Sequence, residues 1–262
     1  MTGHKKNSTL ILFCFIVHFS FAQESTRTTQ TNTSAAIEKI MIIPFEPRLY
    51  MSDIDMKINQ QTKWKFEKIR ENFRQQLNTQ LKLKLQSIAP VVSFYSDSAK
   101  MAKDLAYIYS SINLSYDLVS DPNPKTLVAK QNGIKNGQIV VEASTDKKFM
   151  NTKINDPKLL DYLNKKYKSN YFIFINQLDI VNNAESYNLT TDAYMREVTV
   201  HYSILDKTGK NISAGVATSQ FSSKENDPKK IVSLSFSPIA TYITGKLAAA
   251  VKPASETAGQ KK

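Results

Sequence analysis

The sequence predicts an α/β fold, an α+β sandwich with helices packed on a mixed sheet of about five strands. Three observations carry it. A short apolar run, KIMII at 39–43, ends at Pro44 and reads as a buried strand. A long stripe of apolar residues at three- and four-residue steps follows it. Near the carboxyl end, an alternating segment and a glycine-bearing turn read as an antiparallel hairpin.

The elements follow in order. Lys63 to Ile88 carries Phe66, Ile69, Phe73, Leu77, Leu81, Leu85 and Ile88 on one helical face, and Pro90 stops that helix. VVSFY at 91–95 reads as a second strand, after which Ser96 or Asp97 caps a helix reaching about Ser111. Residues 114–150 hold Pro122, Pro124, Gly133 and Gly137, with one strand at Gln138 to Glu142. Their apolar content is too thin for a separate core, so they read as an insertion or a hairpin-bearing excursion. Asp156-Pro157 opens a helix running to Tyr167. Tyr171 to Ile180 is the strongest strand, and Arg196 to Leu205 alternates with Val198, Val200, Tyr202 and Ile204 on one side. DKTGK at 206–210 turns that strand into its partner, Asn211 to Phe221. Asp227-Pro228 starts a last helix that Pro238 kinks or divides.

The ends read differently. Lys5 and Lys6 precede an apolar run from Leu10 to Phe21, and Ser20-Phe21-Ala22 supplies small residues at the −3 and −1 positions. This describes a signal peptide at 1–22, cut after Ala22. A run of about a dozen residues is short for a membrane span, though retention as an anchor is the alternative. Phe13 stands where a lipoprotein box wants a small residue before Cys14, so lipidation is not expected. The expected layout is a flexible leader at 23–37, a single α/β domain at 38–251 with its excursion at 114–150, and a disordered tail at 252–262.

Cleavage at Ala22 removes the one cysteine, Cys14, together with His4 and His18. Cysteine nucleophiles, disulfides and multi-histidine metal sites go with them. The formal charge falls from +12 by two lysines to +10. That surplus favours anionic partners such as lipid head groups or envelope polymers. Nucleic acid would satisfy the charge, but export argues against it, and no membrane span is expected after cleavage.

Three pieces together resemble an envelope architecture: KIMIIPFE leading to a long helix, LLDYLNKKYKSNYFIFINQLDI, and VTVHYSILDKTGKNISAG before a terminal helix. The pattern is similar to the α/β domain of the penicillin-binding-protein activator lipoproteins, the curli-secretion lipoprotein and the amino-terminal domain of the Tol-system propeller protein. Asn170-Tyr171-Phe172 and Asp206-Lys207-Thr208-Gly209-Lys210 carry the match, the latter one residue shorter than the family's turn. The lipoprotein cysteine is absent, and the 114–150 excursion has no counterpart. The resemblance implies a non-catalytic periplasmic or surface module that binds another envelope protein. The FSFAQ ending resembles exported proteins of the Bacteroidota.

The loop PFEPRLYMSDID at 44–55 draws attention because its aromatic and acidic residues leave a strand end. Glu46, Asp53 and Asp55 lack the D-x-D-x-D-G spacing and the turn glycine of a calcium loop, so no metal is assigned. Asp53 reads as a helix cap. Arg48, Leu49, Tyr50 and Met51 are the candidate docking residues, since Tyr, Arg and Met are common interface anchors. His201, opposite Val200 and Tyr202, reads as a solvated strand residue, and no G-x-S-x-G elbow accompanies it. Seven glycines form no phosphate-cradling motif, and no cofactor is expected. Lys165-Lys166-Tyr167-Lys168 reads as a solvated helix face, with an anionic glycan or lipid as the alternative contact.

No catalytic residue is assigned, and a non-enzyme is expected. The expected function is protein binding by an exported envelope protein, periplasmic, associated with the outer membrane or extracellular. The alternatives are a carboxylate-based hydrolase of envelope glycans, using Asp179 with Asp192 or Glu185, and a basic module binding anionic lipid or polysaccharide.

Overall fold

The computed structural model describes residues 39–94, 98–118, 134–135, 138–139 and 148–251, all within the compact unit Ala35–Lys262. The expected signal peptide, leader and tail lie outside the described residues, as does most of the excursion.

The strands of the main sheet are β1 (Ile40–Ile43), β2 (Tyr50–Ser52), β3 (Val91–Ser93), β8 (Tyr171–Asn188), β9 (Ala193–Asp206) and β10 (Asn211–Ser222). They run in the order β10-β9-β8-β1-β3. β1 pairs in parallel with β3 and β8, and the β8-β9-β10 meander is antiparallel, so the sheet is mixed. β2 joins β8 beyond β1: Ile40 to Ile43 lie beside Tyr171 to Phe174, and Tyr50 to Ser52 beside Leu178 to Ile180. One edge of β8 thus carries two successive strands with residues 44–49 looping out between them.

The sheet is covered on both faces. On the first lie α1 (Asp55–Thr62), α2 (Phe66–Leu85), α5 (Pro228–Ile231) and α6 (Ser237–Val251). α2 sends Ile69, Phe73, Leu77, Leu81 and Leu85 into a core with Ile173, Ile175, Leu178, Ile180, Val198, Val200 and Ile204. On the second face, α3 (Ser98–Ser110) and α4 (Leu159–Tyr167) enclose Met41, Ile43, Phe172, Phe174 and Leu205 with Ile108, Leu159 and Leu163.

The expected helix from Lys63 to Ile88 is α2, Phe66–Leu85, and a separate helix absent from the expectation, α1, precedes it. Lys63 adopts a left-handed conformation, φ 60°, that ends α1, and α2 starts only at Phe66. Asn59 donates from its amide to the Trp64 carbonyl at 2.7 Å, and the Trp64 N–H donates to Thr62 Oγ1 at 3.1 Å. The final helix is divided, as expected. The Asp227 side chain caps α5, and a widened π turn at Val232–Phe236 separates it from α6, in which Pro238 has no N–H to give.

The excursion begins and ends in a ladder absent from the sequence reading. β4 (Ile112–Leu118) pairs antiparallel with β7 (Lys148–Ile154), and between them β5 (Ile134–Lys135) pairs with β6 (Gln138–Ile139). A bulge in β8 prepares the seat for β7. Ile175 lies opposite Tyr202 and Gln177 opposite His201, leaving Asn176 as the extra residue. Ile173, Ile175, Leu178 and Ile180 therefore keep to the first face, while Asn176, Gln177 and Asp179 all reach the β4-β7 side through bonds to Met150, Tyr116 and His201.

Candidate functional site

Residues 44–49 leave the sheet at the carboxyl end of β1 and are pinned from below. Arg74 of α2 is buried and donates from Nε to the Phe45 carbonyl at 2.6 Å and from Nη2 to Tyr109 Oη at 2.9 Å. Tyr109 passes the contact on to the Pro44 carbonyl at 2.6 Å. Burial pushes the Tyr109 phenol up to about 12, so it remains a donor. Two carbonyls left unpaired by the end of β1 are thereby satisfied.

The four candidate docking residues have different surroundings. Arg48 is exposed and meets Glu46 through Nε at 2.6 Å and Nη2 at 3.3 Å. Leu49 is half-buried. Tyr50 turns inward, stacking on Phe45 at 6.5 Å and donating to Asp55 Oδ1 at 2.5 Å. Burial is the main reason both Tyr50 and Asp55 titrate above their ordinary ranges. Met51 is exposed on β2 beside Asp179. The expected cap at Asp53 is not formed, since Ile54 holds that position without a side-chain cap bond. Instead Asp53 Oδ2 accepts the Asn182 N–H at 2.9 Å, and the Asp53 N–H donates to the Ile180 carbonyl at 2.9 Å. Glu46, Asp53 and Asp55 are thus each engaged separately, and among the described residues no three His, Cys, Asp or Glu side chains gather.

Asp53 is attached to the base of a projecting arm. β10 accompanies β9 only to the pair Ser222 and Met195. Beyond it β8 and β9 continue as a two-stranded ribbon over 183–195, its ladder interrupted between the pairs Asn183 with Met195 and Asn188 with Ala193, and mostly exposed. Its tip is ordered by local bonds. Asn188 Oδ1 accepts the N–H groups of Thr190 at 2.9 Å and Thr191 at 3.1 Å, Asp192 adopts φ 48°, and Tyr187 donates to Asp192 Oδ1 at 2.6 Å. Leu189, at this tip, is 86% exposed. The ribbon reads as polar in sequence, NNAESYNLTTDA, and only the pair of strand runs on either side hints at it.

His201 is not solvated. It is 5% exposed under the β4-β7 ladder, its Nδ1 accepting the Met150 N–H at 2.9 Å and its Nε2 facing Asp179 Oδ2 at 3.2 Å. Nδ1 as acceptor places the ring proton on Nε2, where Asp179 receives it. Gln177 donates to both Asp179 oxygens at 2.8 Å and accepts from Tyr116 at 2.9 Å. Asn176 donates to the Met150 carbonyl at 2.7 Å and to Ser203 Oγ at 2.8 Å, and accepts from Thr152 Oγ1 at 2.6 Å. Every one of these groups is consumed in fastening one layer to the other. Asp179 lies six extended residues, about 20 Å, from Glu185, and Asp192 sits at the arm tip. The structure does not bring these carboxylates together.

A cleft of about 540 Å³ opens elsewhere, between β7, the start of α4 and the β9-β10 turn. Ile154, Pro157, Leu160 and Leu205 supply its apolar lining, and Lys153, Lys207 and Asp161 its charges. Asp161 is exposed and paired with Lys165 at 2.7 Å, and Lys153 meets Asp117 at 3.3 Å. The lysine-tyrosine run 165–168 is not a plain solvated face: Lys166 reaches buried Asp104 at 2.7 Å, and Tyr162 and Tyr167 donate to the same carboxylate.

No family model and no curated protein sequence matches the chain. Among solved structures, it is similar to a lipoprotein of Neisseria meningitidis, at 8% identity over 81% of this chain and 99% of that one, with a TM-score of 0.36. It is also similar to a candidate lipoprotein of Caulobacter crescentus, at 17% identity over 33% of this chain and 72% of that one, with a TM-score of 0.23. Both are bacterial lipoproteins by description, and neither likeness is close enough to transfer a site. Among the described residues no helix is long and apolar enough to cross a membrane.

Proposed function

We propose that this chain is an exported, non-catalytic envelope protein that works by binding another envelope protein, and that the arm at 183–195 is its docking element. One observation carries the reading: Leu189 is held almost wholly in solvent by a tip whose backbone is fixed by Asn188 and Asp192. Among the described residues no third strand backs the ribbon; a two-stranded ribbon alone is marginal in water, and an ordered, exposed apolar anchor is what an interface uses. Met51, from the expected docking loop, is a second exposed apolar side chain, on β2 beside Asp179.

A photo-reactive residue at position 189, exposed to envelope extract, tests this against the same residue at Leu83, an exposed site on α2. The expected result is one defined adduct from position 189, suppressed by excess unlabelled protein, and none from position 83. Equal labelling at both positions, or turnover of envelope glycan by the purified protein, would overturn it.

The cleft favours a second reading, a small anion with an apolar part. Lys207 stands at its rim, and it has no hydrogen-bond or ion-pair partner among the described residues. Its lining includes one carboxylate, Asp161, where a glycoside hydrolase needs two. Binding of anionic vesicles that weakens on Lys207→Glu would support that reading.

A further inference from the structure

We propose that the free edge of β10 pairs antiparallel with β10 of a second copy of this chain. Natural sheets guard their edges with short strands, lysines, prolines or bulges. The edge at β3 is guarded by length, being three residues long. β10 is guarded only at its start, where its register with β9 shifts between Asn211 and Ser213. It is 12 residues long, NISAGVATSQFS, without charge or proline, and its register with β9 is regular from Ser213 to Ser222. Among the described residues its only strand partner is β9.

A second observation points to the same edge. The helical segments packed on β10 carry apolar side chains in solvent: Leu234 in the π turn is 50% exposed and Tyr242 in α6 is 48% exposed. The Tyr242 ring lies 6.5 Å from that of Tyr202, whose hydroxyl is 3.3 Å from Ser213 Oγ on β10, which fixes Tyr242 under the last two strands. An unpaired backbone row flanked by apolar side chains is an interface with both main-chain and side-chain components.

The occupant that fits is another copy. A two-fold axis perpendicular to the sheet sets β10 against β10 and brings the Leu234 and Tyr242 row of each copy toward its equivalent. The strand offers Ser, Ala, Gly, Val and Thr to itself, so no like charges meet across the pair. Twelve residues span about 40 Å. A stable interface buries about 800 Å² per partner, so the strand pairing needs the side chains of the helical layer below as well. The chain's surplus of positive charge opposes this association at long range. Dimerisation should therefore strengthen with salt, opposite in sign to binding of a polyanion.

Sedimentation and light scattering of the purified protein at micromolar concentration test the proposal. The expected outcome is a dimer that tightens as salt rises, with slowed hydrogen exchange along β10. Thr218→Lys, at an exposed position of the strand, and Leu234→Asp should each weaken dimerisation by about tenfold or more, with the thermal unfolding midpoint retained. A protein monomeric at every salt concentration, or a dimer that both variants leave intact, would overturn it. So would a dimer dissolved by Leu189→Asp, which would assign self-association to the arm, or protection of β10 that needs a different protein.

Discussion

Asp53 Oδ2 accepts the backbone N–H of Asn182 at 2.9 Å, joining the loop that leaves β1 to the base of the arm. The two residues are 129 positions apart, and the contact forms where β2 ends and β8 leaves the body of the sheet. The bond ties the position of the loop to that of the arm, even though Tyr50 faces inward.

Asp53→Ala removes that acceptor. It should cost about 1 kcal/mol in urea unfolding, the ordinary size for one hydrogen bond. The sharper readout is local: amide exchange at Asn182 should accelerate while the amides of β1 remain protected.

Asn188→Ala should loosen the tip without unfolding the protein, because Thr190 and Thr191 lose their shared acceptor. The thermal midpoint should stay within about 1 °C, as for most surface changes. Adduct formation from position 189 should fall, since the anchor is then no longer held ready for a partner.

Arg74→Ala should be the most damaging single change of this set. It leaves the Phe45 carbonyl and the Tyr109 hydroxyl without their buried partner, and Glu71 without the guanidinium at 3.6 Å. A loss of about 3 kcal/mol is expected by chemical denaturation, the upper end for buried groups left without a hydrogen-bond partner.

His201→Phe keeps an aromatic ring, somewhat larger, but abandons the Met150 N–H and Asp179. An unsatisfied buried donor costs about 2 kcal/mol. Near-ultraviolet circular dichroism from Tyr116, whose ring lies 6.3 Å from the imidazole, should change with it.

The α3-α4 contact sets a pH dependence at both extremes. Burial alone would raise the Asp104 carboxyl, but bonds from Lys166, Tyr167 and Tyr162 outweigh it and hold it below the usual range. A depressed folded value means this stability is present above the unfolded carboxylate range and is lost as pH falls through the folded value. Tyr167 is pushed up to about 12 by burial and by Asp104. Its stability is complete below the unfolded phenol range near pH 10 and is lost as pH rises through about 12. Asp104→Asn should flatten the acid limb of a plot of unfolding midpoint against pH; an unchanged limb would refute the assignment.

The elements legible in the sequence are those whose burial is local. KIMII, the stripe on α2 and the β9-β10 hairpin each bury one face or both against neighbours that leave a periodic mark. β4 and β7 leave none, because INLSYDL and KFMNTKI turn polar groups such as Tyr116 and Thr152 toward a polar seat. The solvated reading of His201 failed for the same reason: its cover is β7, some fifty residues away in the chain. α1 was hidden by its polarity, with Ile58 its one buried residue. Of the four candidate docking residues, Tyr50 was misjudged because the sequence could not show that it would find Phe45 and Phe73 within ring contact.

The bulge at Asn176 separates two questions that a sheet usually answers together. Removing that one residue would leave Ile175, Leu178 and Ile180 in their present alternation, so the helical side of the sheet would not notice the loss. What would vanish is the side chain that holds Met150, Thr152 and Ser203 in one knot. The β4-β7 layer would still be held by His201 on Met150, by Gln177 on Tyr116 and by Ser203 on Asn151 and Thr152, so the inserted amide tightens an attachment that the main sheet shares among several side chains.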